Sequence, residues 1–345
     1  MSSPRTRRIH PAWIVAAVGF LALVGAAGFR SAPGVMMIPL EEEFGWGSAT
    51  ISLAISINIL LFGLTAPFAA ALMSRFGIRK VTTSALLLIS AGSALSIFVT
   101  TPFMLILTWG ILIGLGTGSM ALVFAATITN TWFYSRKGLV SGVLSAGSAT
   151  GQLIFLPVMA GLVETSGWRS ASLVIAGAAL AVVPLILIFM RNSPADLGVR
   201  RFGESEAVAA QVAAEQATAT PTGNPAKYAL TTLREAAKTK TFWALAAGFA
   251  ICGATTNGLI GVHFIPSAHD HGMPETTAAG LLAAVGIFDI MGTVASGWLT
   301  DRVNPRILLG IYYFGRGISL MLLHVLLSAT IHPSLIVFIV IYGLD

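Results

Sequence analysis

The sequence predicts an all-α protein that crosses a membrane many times, built as two pseudo-symmetric six-helix bundles. Three observations carry that expectation. Of 345 residues, 55% are hydrophobic and only 10% are charged, against roughly 25% charged in an ordinary soluble domain. Apolar runs long enough to cross a bilayer follow one another with short charged gaps between them. The chain also repeats itself at an offset of 227 positions.

The apolar spans cover residues 12–38, 48–73, 81–100, 103–130, 138–163, 170–190, 241–265, 276–300 and 307–328, and a last one opens at 335. A helix needs about 20 residues to cross the hydrocarbon core. The first nine qualify. In lipid every backbone polar group must be satisfied internally, so the spans are helices. They are too long for barrel strands and do not alternate. The tenth reaches Asp345 after 11 residues, so the sequence reads as truncated within helix 10, lacking helices 11 and 12. Residues 1–32 are too apolar over too great a length for a cleaved signal peptide.

Orientation follows from the basic residues. The N-terminal tail and the even-numbered gaps hold 17 of the 20 Lys and Arg. The odd gaps hold Arg169, and Arg30 and Arg316 lie inside spans. The positive-inside rule places the N-terminus and even gaps in the cytoplasm of a plasma (inner) membrane protein. The net charge of +6 is thereby topology. No basic stripe with interleaved aromatics points to nucleic acid.

The repeat is aligned without a gap. Ile38-Pro39 falls on Ile265-Pro266, Gly45 on Gly272, Leu72 on Leu299, Arg75 on Arg302 and Arg79 on Arg306. Six helices bring the chain back to its starting side, so the second copy runs parallel to the first. The expected domains are an N-terminal bundle (1–190), a cytoplasmic linker (191–240) and a C-terminal bundle (241–345). From Arg200 to Lys227 the linker is rich in Ala, Gln, Thr and Glu, and disorder is expected. The next stretch, YALTTLREAAKTKTFW, suits a short interfacial helix with Trp243 at headgroup level.

The phrases GWLTDRVNPR (297–306) and AALMSRFGIRK (70–80) resemble the loop signature of the major facilitator superfamily. WFYSRKGLVSGVLSAGSATG (132–151) is similar to a segment of its monocarboxylate porter and oxalate/formate antiporter branch. The resemblance implies a secondary transporter. It also implies a conformational latch in the repeated turn, here Arg75 and Arg79 in the first copy and Asp301 and Arg302 in the second. Ser74 stands where the family has Asp, which weakens the first latch.

Charges inside a membrane are costly and mark functional candidates. Arg30 sits in GFRSAPG, where Gly28, Pro33 and Gly34 suggest a break in helix 1. Asp289 and Arg316 lie at matching depth, roughly 13–17 Å from the cytoplasmic ends of helices 8 and 9. They are expected to pair, either as a fixed structural bond or as a proton-coupling element. In the porters an acid in helix 8 works with an Arg one turn later. Asp289 falls on the acid, but the Arg position is Thr293. The family Lys of helix 1 falls at Gly34, with Arg30 one turn away. Arg30 is thus assigned to a substrate carboxylate and Asp289 to the proton. Asn58, Gln152, Asn257 and His263 are further polar candidates, each open to plain interhelical bonding. Asn257 is the counterpart of Arg30 at the 227 offset. His324 reads as a packing residue.

Glycines at four-residue spacing, Gly110/Gly114/Gly118, Gly138/Gly142 and Gly147/Gly151, allow close helix approach, as fixed contacts or sliding ones. His269, Asp270 and His271 lack the companions of a metal site. Cys252 is a lone cysteine, so there is no internal disulfide. No P-loop is present, and no cofactor is implied. With one acid at mid-membrane there is no catalytic set, so an enzyme is not expected. The favoured function is transport of a small organic anion, a monocarboxylate, by proton symport or exchange, by a monomer in the lipid bilayer. The alternatives are a facilitator of a neutral or cationic solute, with Arg30 structural, and a non-transporting sensor.

Overall fold

The computed structural model describes residues 10–206, 225–300, 303–326 and 333–344. Those residues are almost wholly helical. Among the described residues, eight helices are long and apolar enough to cross a bilayer. The longest, Lys137–Phe189, is 53 residues and does so twice.

Helix α1 (Pro11–Phe44) starts with Pro at its first position, and the His10 ring accepts from the Ala12 N–H at 3.3 Å. Pro there loses only an N–H that had no partner. Gly45, at φ 67°, ends the helix by donating to Glu41 O at 2.9 Å. The break expected at GFRSAPG is absent: α1 is continuous through Pro33 and Pro39. A Cβ on Gly28 would meet the Phe155 ring and one on Gly34 would meet Gly261 O and Val262 O, so neighbouring helices pack closely along this stretch.

Helix α2 (Ser48–Phe76) ends at Gly77, whose N–H donates to Met73 O at 2.9 Å. Helix α3 (Ile78–Leu95) follows at once. Helix α4 (Pro102–Trp132) contains a π-helical stretch, Ile106–Ile113. Helices α5 (137–166) and α6 (168–189) are joined by Gly167 alone, at φ 79° and ψ 164°. The reversal is seen in their contacts with α1. Gly147 and Gly151 of α5 meet Leu23 and Ala27 in ascending order. Ala178 and Val182 of α6 meet Gly25, while Ser172 reaches Met36 and Trp168 reaches Glu43.

The linker is more ordered at its start than its composition suggests. Ser193 and Asp196 form a capping box on a short 3₁₀ turn. Phe202 packs edge-on against Trp13 and His10 and lies beside Phe133. Its N–H donates to Trp132 O at 2.9 Å. Glu204 accepts from Arg201 at 2.5 and 3.0 Å, and this holds its carboxyl below the usual range. The disorder expected from Arg200 therefore does not apply to residues 200–206. A tethered aromatic with three ring neighbours offsets the entropy of ordering them.

A linker helix, Pro225–Ala236, precedes the second half. Thr239 then caps α7 (Lys240–Asp270), accepting from Phe242 N–H at 3.3 Å. Trp243 donates to Ala237 O at 2.8 Å and is exposed, as suits an interfacial ring. Helix α7 is π-helical over Ala254–His263. Helices α8 (Glu275–Thr300), α9 (Pro305–Leu326) and α10 (Pro333–Leu344) complete the described chain.

Two ends can be distinguished by charge. The basic end carries Arg75, Arg79, Lys80, Arg136 and Arg191; the acidic end carries Glu41, Glu42, Glu43, Glu164 and Glu275. At the acidic end Arg169 bonds Glu43 through both nitrogens, at 2.6 and 2.8 Å, and Trp168 Nε1 donates to the same carboxylate at 2.7 Å. This ties α1 to α6. The N-terminal half buries its largest rings, Trp109, Phe124, Trp132 and Phe133.

Candidate functional site

The site lies on the seam between the two halves. A cavity of 140 Å³ is lined by Arg30 of α1, Gln152 of α5, Thr256 of α7, Asp289 of α8, Arg316 of α9 and Tyr342 of α10. That volume holds roughly ten water-sized spheres. The three charges found inside spans by sequence thus come together. Arg30 and Asp289 are exposed to the cavity rather than packed away. Arg30 also stacks its guanidinium 5.0 Å from the Phe62 ring.

Asp289 shares the cavity with both arginines, so the Arg316 expected beside it from the hairpin of helices 8 and 9 lines the same space, and Arg30 joins them from the other half. The Thr293 hydroxyl, at the position where the porters carry Arg, hydrogen-bonds the Asp289 carboxylate. Arg316 is held from α7. Its Nη1 donates to Thr256 Oγ1 at 2.9 Å, Cys252 Sγ at 3.1 Å and Thr255 Oγ1 at 3.4 Å. Those three are at i, i+3 and i+4, one face of a helix. The Tyr342 hydroxyl donates to Thr256 Oγ1 at 3.4 Å, and its ring lies 5.5 Å from the Arg316 guanidinium carbon.

Other candidates fall elsewhere. Asn58 does not line the cavity; its amide donates to Trp109 O at 2.6 Å, joining α2 to α4. His263 closes the π stretch of α7 and does not line the cavity. The side chains of Asn257 and His324, and all of Asp301 and Arg302, lie outside the described residues. Arg79 binds within its own half: Nη2 donates to Leu187 O at 2.5 Å, at the C-terminal end of α6, and its N–H donates to Asn192 Oδ1 at 3.1 Å. A cation there faces the negative end of the helix dipole. Arg75 lies 5.3 Å from the Phe76 ring. His269 approaches Glu275 at 3.9 Å and His271 contacts Ser267 O at 2.7 Å.

Two glycines mark where the halves touch. A Cβ on Gly34 would lie 2.8 Å from Gly261 O and 3.2 Å from Val262 O, so α1 and α7 touch toward the acidic end. A Cβ on Gly286 would lie 3.2 Å from Ala149 O, joining α8 to α5. Gly110, Gly114 and Gly118 all pack on α2, and Gly147 and Gly151 on α1. Thr256 and Tyr342 were missed by sequence reasoning, because neither residue type stands out in an apolar helix.

Comparisons with known proteins agree with this architecture. The chain aligns over its full length with the uncharacterized MFS-type transporter YcxA of Bacillus subtilis, 25% identical and covering 78% of that protein. It is 27% identical to monocarboxylate transporter 3 of Rattus norvegicus, over 96% of this chain and 64% of the relative. Mouse monocarboxylate transporter 9 is 30% identical over 50% of this chain, and the match spans only 34% of that protein. The xylose transporter XylE of E. coli, in a partially occluded inward open conformation, superposes with a TM-score of 0.65 at 15% identity, over 97% of this chain and 84% of that one. These relatives are transporters, not enzymes. The Major Facilitator Superfamily matches residues 19–344, and the chain belongs to that family.

Proposed function

We propose that this protein is a secondary transporter that moves a small organic anion, a monocarboxylate, coupled to a proton by symport or exchange. The observation that carries the reading is one cavity on the seam lined by Arg30, Asp289 and Arg316. A guanidinium exposed to a solute-sized space is the natural partner of a carboxylate. A single acid beside it can take up a proton and so change the charge that Arg30 feels. The two halves would rock about this site. With the basic end cytoplasmic, as the positive-inside rule directs, the contact of Gly34 with Gly261 and Val262 would lie on the outer side of the cavity. The monocarboxylate transporter relatives support the substrate class. The protein would work as a monomer in the plasma membrane, with no cofactor.

The test is uptake into liposomes holding the full-length protein. Labelled acetate, lactate, formate and oxalate are offered with and without an inward proton gradient. Gradient-driven uptake of one of them is the expected result. Uptake of none, with a neutral sugar or an organic cation transported instead, would return Arg30 to a structural role.

A further inference from the structure

We infer that Thr256 is a positioning residue that links the Arg316 side chain to closure of the acidic end of the seam. This inference concerns the gate and stands whichever solute the cavity takes.

Thr256 lies at a junction of three helices. Its hydroxyl oxygen accepts from Arg316 of α9 at 2.9 Å and from Tyr342 of α10 at 3.4 Å. A hydroxyl oxygen has two lone pairs, so both are used. The bond from Arg316 is charge-assisted and part-buried, and such bonds are stronger than neutral ones. Thr256 also lines the cavity.

The helix around Thr256 is not in α register. Residues Ala254–His263 are π-helical. An i→i+5 bond brings residues five apart onto one face. Thr256 and Gly261, five apart, both line the cavity here. In an α-helix they would be turned about 140° from one another. The register therefore decides where Gly261 faces. In the structure Gly261 O and Val262 O lie against Gly34 of α1, too close for any side chain there. Gly258, in the middle of the stretch, has open space where its Cβ would be, so no neighbour wedges the π register in place from that side. The clamp from Thr256 to Arg316 and Tyr342 fixes the near end of the stretch, and the Gly34 contact lies at its far end. Loosening the clamp frees the stretch to return to α register. That turns Gly261 off Gly34 and opens the acidic end.

Hydrogen exchange read by mass spectrometry on the full-length protein tests this without labels or substrate. Thr256→Val keeps the shape of the side chain and removes the acceptor. It should speed exchange of residues 258–272 and 34–44 by about tenfold, the scale of one charge-assisted bond. Arg316→Gln should do the same, and the double variant no more than either alone, because both break one link. Thr256→Ser should exchange like the parent. Unchanged exchange in Thr256→Val, additive effects in the double variant, or a Thr256→Ser as fast as Thr256→Val would each overturn the assignment. Thermal unfolding of every variant separates a general loss of fold from local opening.

Discussion

Arg30 of α1 and Asp289 of α8 line one cavity from the two halves of the chain. The pair therefore stands on the seam between the halves, which the proposed rocking would open and close. Arg30→Gln should raise KM for the transported anion by about 10- to 100-fold, the value of one charge-assisted bond. Full transport at unchanged KM would remove the carboxylate role. Asp289→Asn should abolish gradient-driven accumulation and leave anion exchange across equal pH. Both are read in the same liposome assay.

The glycines on α4 and α5 share a spacing but not an environment. A Cβ on Gly118 would sit 2.9 Å from Thr65 Cβ and 3.0 Å from Leu61 O and Phe62 Cα. Backbone atoms cannot step aside as a side-chain tip can. Gly118→Ala should destabilise the N-terminal half by about 1–3 kcal/mol, the usual cost of overpacking. Gly138→Ala, which meets nothing within 4 Å, should be neutral or slightly stabilising. Thermal unfolding in detergent compares the two.

The Glu43–Arg169 pair should be a modest contributor. Its side chains are 37% and 45% exposed, and exposed ion pairs rarely exceed about 1 kcal/mol. Glu43→Gln keeps an acceptor for Trp168 and should lower stability by less than that. A loss of several kcal/mol would mean that the fastening of α1 to α6 carries much more of the fold.

Acid should release the start of the linker. Arg201 holds the Glu204 carboxyl below its ordinary value of 4.5. A depressed carboxylate adds stability above its ordinary value, and that stability is lost as pH falls through the lowered one. Amide protection of residues 200–206 should therefore be full near neutrality and fade in acid below 4.5. Glu204→Gln should show weaker protection with no such dependence.

Much of this was legible in the sequence, for stated physical reasons. A charge in lipid is costly, so Arg30, Asp289 and Arg316 stood out from the apolar runs that contain them. Span lengths and the 227-residue repeat gave the helices and their order. Helix pairs next to each other in the chain are easy to infer, which is why Asp289 was matched with Arg316, and both line the cavity. The seam with α1 is formed by residues more than 200 positions apart, and no local pattern announces it. The π register of α7 has no compositional mark at all. Asn58 looked like a cavity residue because polarity does not reveal direction; its amide is used on Trp109 O. Phe202 sits in a stretch whose composition reads as disordered, and its partners come from the start of α1 and the end of α4, far away in sequence.

The single-residue turn at Gly167 has a practical consequence. Two membrane crossings separated by one positive-φ glycine leave only the exposed residues 164–167 and 169 on the acidic face for a protease, an antibody or an inserted epitope to reach. A turn this short favours insertion of the two arms as one hairpin. Any side chain at 167 would strain that backbone, and the penalty would fall on biogenesis, seen as less protein in the membrane, before it fell on turnover. Topology mapping by tag insertion should use residues 45–47 or 271–274 instead, where the chain itself leaves the helix.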